Sequence, residues 1–251
     1  MPSPRPSRPP PGGPTTARLL FADERLVAID KPAGLSLATP ARWPGAAVRR
    51  LVEALPEAVR RAEDLDPDAL LLAHRLDVGT TGVVVLARDT ATHRALARAL
   101  GARRVGKVYL TLCWGHPRPR EGRYDAPLGP DRDDRRRMRV DPAGRPSVTR
   151  YRVLAAPPHA SLVELRPETG RTHQIRVHLA QAGHPIVGDD LYGGPRHHGV
   201  RDAARRAALA PDHTFLHAWR LELPEEIGPV ITAPLPADFA AALDALGIAR
   251  P

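Results

Sequence analysis

A chain of 251 residues that is 42% hydrophobic can bury one large core. It shows no apolar run long enough to span a bilayer and no apolar leader block, and its only cysteine, Cys113, excludes an internal disulfide and a cysteine-based zinc site; a cytoplasmic location is expected. The formal charge of +9 points to a polyanionic partner, nucleic acid first.

The basic residues are unevenly chosen. Of 37 Lys plus Arg only Lys31 and Lys107 are lysines, there is no Asn, and Gln174 and Gln181 are the only glutamines. With so much Ala, Arg, Pro and Gly, this reads as pressure from a GC-rich genome. A rare residue type that survives such pressure does something its common substitute cannot, which marks Lys31, Lys107 and Gln174.

Residues 1–17 are Pro- and Arg-rich without periodicity and read as a disordered tail, leaving one domain over 18–248. Leu19 to Lys31 reads as a hairpin ending in the loop Lys31-Pro32-Ala33-Gly34. Ala46 to Glu63 has helical spacing, broken or kinked at Pro56. Next comes His74-Arg75-Leu76-Asp77-Val78-Gly79-Thr80-Thr81-Gly82, a polar, glycine-punctuated loop running into the β-branched strand Val83 to Ala87. An acid on the end of a buried strand, with Arg75 two residues away, suits a reactive carboxylate; a turn former or a structural salt bridge uses the same residues.

Thr90 to Leu100 predicts a helix capped by Asp89 or Thr90. Lys107 to Trp114 alternates as a strand, which puts Lys107 and Tyr109 on one face. Between Arg118 and Arg152 lie eleven arginines and six acids, densest at Arg135-Arg136-Arg137-Met138-Arg139, and this segment is expected to contact phosphates. Val148 to Leu154 and Ser161 to Leu165 predict two strands. Thr172 is the expected cap of a helix that Gly183 ends, with Ile175, Leu179 and Ala182 on its apolar stripe and the direction of Arg176 ambiguous. Arginine near a helix start favours an anion there. A strand from Phe215 to Leu223 and a helix from Ala237 to Leu246 close the chain. His173, His178, His184, His213 and His217 have no acidic partner motif that would make a metal site, and Walker, dinucleotide and serine-elbow signatures are missing.

Taken together these blocks resemble the RluA-type RNA pseudouridine synthases from Leu19 to about Leu246. The carrying motifs are His74-Arg75-Leu76-Asp77 with Thr80 and Gly82, where Thr81 stands for the usual Ser; Asp30-Lys31-Pro32-Ala33-Gly34, where Asn is frequent at position 30; Lys107-Val108-Tyr109; Thr169 through Leu179 running on to Asp189; and Leu216-His217-Ala218. The resemblance implies an α+β fold with a mixed, mainly antiparallel central sheet and flanking helices. The tail is too short and proline-rich for the S4 module many relatives carry.

The resemblance further implies isomerisation of uridine in rRNA or tRNA to pseudouridine with no metal or cofactor; no oligomerisation signal stands out in the sequence, so a monomer is expected. Asp77 would be the catalytic carboxylate, either attacking the sugar or removing a sugar proton. Arg176 would pair with it, and Tyr109 would stack on the uracil and help remove the ring proton. Arg75 would help hold the target nucleotide out of its stack, Ile175 would give the base an apolar contact, and His74, Lys107, Arg171 and Lys31 would bind substrate. Two other readings compete: a catalytically silent RNA-binding or assembly factor of the same fold, and a hydrolase using Asp189 as a second carboxylate.

Overall fold

The computed structural model describes residues 16–39, 43, 45–194 and 196–251. Most of the expected tail therefore lies outside the described residues, although Ala17 is already buried and donates its N–H to the Ala54 carbonyl. The strands are β1 (Arg18–Ala22), β2 (Leu26–Lys31), β3 (Leu71–Leu72), β4 (Thr81–Ala87), β5 (Gly106–Trp114), β6 (Glu121–Asp125), β7 (Leu128–Pro130), β8 (Met138–Val140), β9 (Val148–Ala155), β10 (Ala160–Pro167), β11 (Leu216–Glu222) and β12 (Val230–Thr232). The helices are α1 (Ala46–Glu53), α2 (Glu57–Ala62), α3 (Thr90–Gly101), α4 (Gln174–Gln181), α5 (Ala203–Ala208) and α6 (Ala237–Ala245).

The fold is α+β. One sheet runs β1-β2-β4-β11-β5-β10-β9-β6, with β3 paired to β4, β12 paired to β11 and β7-β8 as a separate hairpin. Every pairing is antiparallel except β11 against β4. β4 is buried along its whole length, as its run of branched residues requires: Val84 and Leu86 enter the cluster with α1, while Val83 and Val85 enter the one with α3. On the other half of the sheet, Leu165 and Val163 pack with Ile175 and Leu179 of α4. Tyr109 touches both the α1 cluster and the α4 cluster, so it floors the gap between them.

Some local expectations hold and others change. Pro56 splits the first helical stretch into α1 and α2, standing just before α2. Asp89 caps α3 by accepting from the Thr92 N–H. Thr172 does not cap α4; that place falls to His173, in the left-handed region at φ 54°, with no side-chain cap. The arginine-rich stretch contributes β6, β7, β8 and the start of β9. Arg123, Arg150 and Arg152 pair with Asp125, Glu168 and Glu164 along β6 and β9, a charged edge that discourages further strand addition.

The parallel contact of β4 with β11 sets the site. A Cβ at Gly82 would sit 2.2 Å from the Ala218 carbonyl oxygen, and φ here is +109°, so only glycine fits. Beside it, the Thr81 hydroxyl lies 2.8 Å from His217 Nδ1, and His217 Nε2 lies 3.3 Å from the Ala233 carbonyl. That carbonyl can only accept, so Nε2 carries the proton and Nδ1 accepts from Thr81. Burial pulls the His217 ring down to about 4 and the enclosed His74 ring also to about 4, so both fold neutral. No helix among the described residues is long and apolar enough to cross a membrane.

A pH dependence follows. Unfolded histidine titrates near 6.5, so between pH 6.5 and 4 the unfolded chain binds protons that the folded one refuses, and stability falls as pH falls through that window. Each buried ring contributes up to about 1.4 kcal/mol per pH unit. Thermal melting from pH 7 to 4 is expected to show this slope, and His217→Gln, which keeps a donor and an acceptor but cannot titrate, is expected to flatten it.

Candidate active site

The loop bearing Asp77 is pinned from beneath. Lys31, at the end of β2, is fully buried, and its Nζ donates to the carbonyls of Pro32 (2.8 Å), Leu35 (3.0 Å) and Val78 (3.2 Å). The Val78 carbonyl also accepts from the Gly34 N–H at 2.8 Å. Burial pulls the ammonium down to about 7, against the attraction of Asp77 and Asp30. Three carbonyl acceptors match the three donors of the charged form. Lys31 therefore does not face the cleft. The expectation that it contacts substrate is corrected: its ammonium is enclosed by backbone and positions the loop.

Above it opens a cleft of about 1070 Å³ lined by His74, Arg75, Asp77, Lys107, Tyr109, Arg171, Ile175 and Arg176 among others. This is at the upper end of the roughly 300–1,000 Å³ typical of ligand pockets. Eight of the nine expected site residues thus share one cavity, drawn from the loop before β4, from β5 and from the start of α4.

At its centre is a charge relay of fixed geometry. Arg176 donates through Nε (2.7 Å) and Nη2 (2.8 Å) to the two oxygens of Asp189, and its Nη1 lies 3.5 Å from Asp77 Oδ2. Asp189 is 1% exposed and also accepts from the N–H groups of Leu191 and Tyr192. Burial works against the Arg176 charge, but the Asp189 carboxylate outweighs it and raises its pKa. A fork held by two parallel bonds cannot swing, so the third nitrogen is aimed. At Gly188, φ is +77° and a Cβ would lie 2.1 Å from the His213 carbonyl oxygen, so the turn presenting Asp189 also needs glycine.

His173 Nε2 lies 3.9 Å from the same Asp77 oxygen, and burial lowers its pKa while Asp77 opposes that shift. Tyr109 is held protonated by burial, with the Asp77 charge adding to the effect. Burial lowers the Lys107 ammonium, whose Nζ lies 3.5 Å from the Thr169 carbonyl. Gln174 is buried and fully engaged: its Oε1 accepts from the Thr169 hydroxyl and the Arg171 N–H, and its Nε2 donates to the Val148 carbonyl and Thr149 Oγ1. It thereby ties the loop of Arg171 to β9.

The remaining histidines have their own partners. His213 pairs with Asp238 at 2.7 Å, and His178 bridges Thr149 and the Ala126 carbonyl. Three site residues escaped the sequence reading in these roles: Asp189 as the partner of Arg176, and His173 and Tyr192 as its neighbours. Their signal lay in the Gly188-Asp189 turn and in a tyrosine three residues after a buried acid.

The family model described as RNA pseudouridylate synthase matches residues 25–181, more than half of the chain. The dual-specificity RNA pseudouridine synthase RluA of Escherichia coli O157:H7 is 38% identical over 224 residues, covering 88% of this chain and 93% of that protein. The chain belongs to the RluA-type RNA pseudouridine synthase family.

Ribosomal large subunit pseudouridine synthase D of Nitrosomonas europaea is similar at 38% identity over 235 residues, covering 91% of this chain. The chain spans just under two thirds (65%) of that relative's length. The solved structure of human RNA Pseudouridylate Synthase Domain Containing 4 superposes with a TM-score of 0.73 at 29% identity, covering 93% of this chain and 94% of that one. The mixed sheet and cleft described above are thus the fold of this family.

The Lys31 clamp makes a measurable claim about this family member. Lys31→Met keeps the stem but leaves three carbonyls without a donor, and is expected to lower stability by about 2–4 kcal/mol. Lys31→Arg is also expected to destabilise, because a planar fork cannot fill the space of a compact ammonium. Urea unfolding of the two variants against wild type checks both; wild-type stability in Lys31→Arg would remove the reason for a lysine here.

Proposed function

We propose that this protein isomerises specific uridines in rRNA or tRNA to pseudouridine, with Asp77 as the catalytic carboxylate. The observation that carries the reading is the placement of Asp77 in the cleft, with Arg176 Nη1 3.5 Å away and Tyr109 on the cleft floor. In this reaction the bond from N1 of uracil to C1′ breaks, the base turns while held, and a bond from C5 to C1′ forms. The C5 proton then leaves and N1 gains one, so the sum is zero and no cofactor is called for.

Asp77 acts at C1′ as nucleophile or at C2′ as base; either role needs an ionised carboxylate, and the aimed Arg176 favours that form. Tyr109 offers an aromatic face to the uracil and Ile175 an apolar contact. His74, fixed as a neutral ring by the Val85 N–H to Nε2 contact at 3.3 Å, braces the loop from the cleft side. Arg75 is exposed beside Asp77, where a guanidinium can occupy the gap left by a flipped nucleotide. Lys107 and Arg171 supply positive charge for the flanking phosphates.

Basic side chains around the cleft fit an RNA track. Arg136 of the β7-β8 connection lines the cleft, and Arg132, Arg135 and Arg137 of the same connection have no carboxylate within 4.0 Å among the described residues. The single cysteine, Cys113, is buried, which suits a reducing cytoplasm.

The hydrolase reading needs a second carboxylate free to act as acid or base. Asp189 is buried and held by both oxygens to Arg176, so it does not serve. The silent-factor reading leaves the aimed Arg176 without a purpose.

Pseudouridine mapping across total RNA tests the proposal, comparing a strain lacking the gene with strains restored by wild type or Asp77→Asn. One or a few sites are expected to vanish and to return with wild type alone. Return with Asp77→Asn would remove Asp77 as catalyst, and release of free uracil by the purified protein would favour hydrolysis.

A further inference from the structure

Tyr192 stands between the arginine-bearing connection of β7 to β8 and the Asp77–Arg176 pair. Its hydroxyl accepts from the Met138 N–H at 2.7 Å, at the start of β8, and lies 2.7 Å from His173 Nδ1. The hydroxyl therefore bridges the β8 backbone and the His173 ring. The other ring nitrogen of His173, Nε2, faces Asp77 Oδ2 at 3.9 Å. The Tyr192 ring carries two guanidiniums: Arg176 at 5.0 Å and Arg137 at 5.3 Å from its centre.

Arg136 and Arg139 are ion-paired to Asp134 and Asp141, whereas Arg137 has no carboxylate within 4.0 Å among the described residues and its buried Nε has no hydrogen-bond partner. Its backbone is fixed nonetheless, by bonds from its N–H to the Asp134 carbonyl and from the Asp131 N–H to its own carbonyl. A half-buried guanidinium that rests on an aromatic face and has no carboxylate partner keeps its charge available to an anion. Arg137 and Arg176 both rest on this ring, so a phosphate that fixes the Arg137 guanidinium also fixes the ring against which Arg176 is set.

We infer that Tyr192 is a positioning residue that couples capture of an RNA phosphate by Arg137 to the alignment of Arg176 and His173 on Asp77. Binding on the hairpin is thereby converted into rate at the cleft, not only into affinity. The inference rests on the proposed catalytic role of Asp77.

The test measures single-turnover pseudouridine formation at saturating enzyme, with Kd by filter binding, on total tRNA and rRNA from a strain lacking the gene. Wild type is compared with Tyr192→Phe, Arg137→Gln and the double variant. Tyr192→Phe is expected to slow conversion about tenfold while changing Kd less than twofold. Arg137→Gln is expected to slow it as well, and the double variant to be no slower than the slower single variant. Losses that multiply, or a wild-type rate in Tyr192→Phe, would overturn the coupling.

Should Tyr192→Phe not fold, Arg137→Gln alone decides. A loss of rate at saturation supports the coupling, and a loss confined to Kd overturns it. Asp77→Asn is run beside them. If it remains active, the catalytic reading itself fails; if it is inactive while the losses multiply, only the role of Tyr192 fails.

Discussion

The buried pair of Arg176 and Asp189 is the interaction on which this site depends. Two parallel bonds at 2.7 and 2.8 Å fix the guanidinium, and only then does its remaining nitrogen reach Asp77 from a defined direction. A pair so deeply buried adds little net stability compared with apolar packing, because desolvation cancels much of its attraction. Its value lies in orientation. Without Asp189, Arg176 would be a long flexible cation near a carboxylate, and the carboxylate would meet a mobile partner.

The other half of the geometry comes from beneath the Asp77 loop. Lys31 gathers three carbonyls into one point, Gly82 allows β4 to approach the β11 backbone, and Thr81 bonds His217 across the same parallel contact. Each device uses a property other residues lack: a compact ammonium, no Cβ, a hydroxyl facing a neutral ring. Asp77 therefore enters the cleft from a loop that is backed by core, while Arg176 enters from a helix start. The sheet brings the two together from positions about a hundred residues apart in sequence.

Much of this was legible in the sequence. The β-branched run after Gly82, the alternation that puts Lys107 and Tyr109 on one face, and the break at Pro56 all reappear in the structure, because each rests on a local rule. Rarity of residue type also pointed correctly at Gln174, which must accept as well as donate, something no arginine does. Four features were not legible, since they depend on contacts distant in sequence or on left-handed backbone. Lys31 faces backbone rather than substrate, and Arg176 turns to Asp189 thirteen residues on. The cap expected at Thr172 yields to His173 at φ 54°, and the arginine-rich segment divides into ion-paired strands and a connection in which Arg136 is paired while Arg132, Arg135 and Arg137 have no carboxylate within 4.0 Å among the described residues.

The most direct measurement is the single-turnover rate of Asp189→Asn at a temperature below its melting transition, with RNA affinity measured alongside. Asparagine keeps the shape of Asp189 but removes the charge and one acceptor, so Arg176 loses its fixed direction. The account predicts a folded protein of lowered melting temperature that binds RNA as wild type does and converts it about a hundredfold more slowly. A folded Asp189→Asn protein working at the wild-type rate would contradict it, because the aim of Arg176 at Asp77 would then have no bearing on the chemistry.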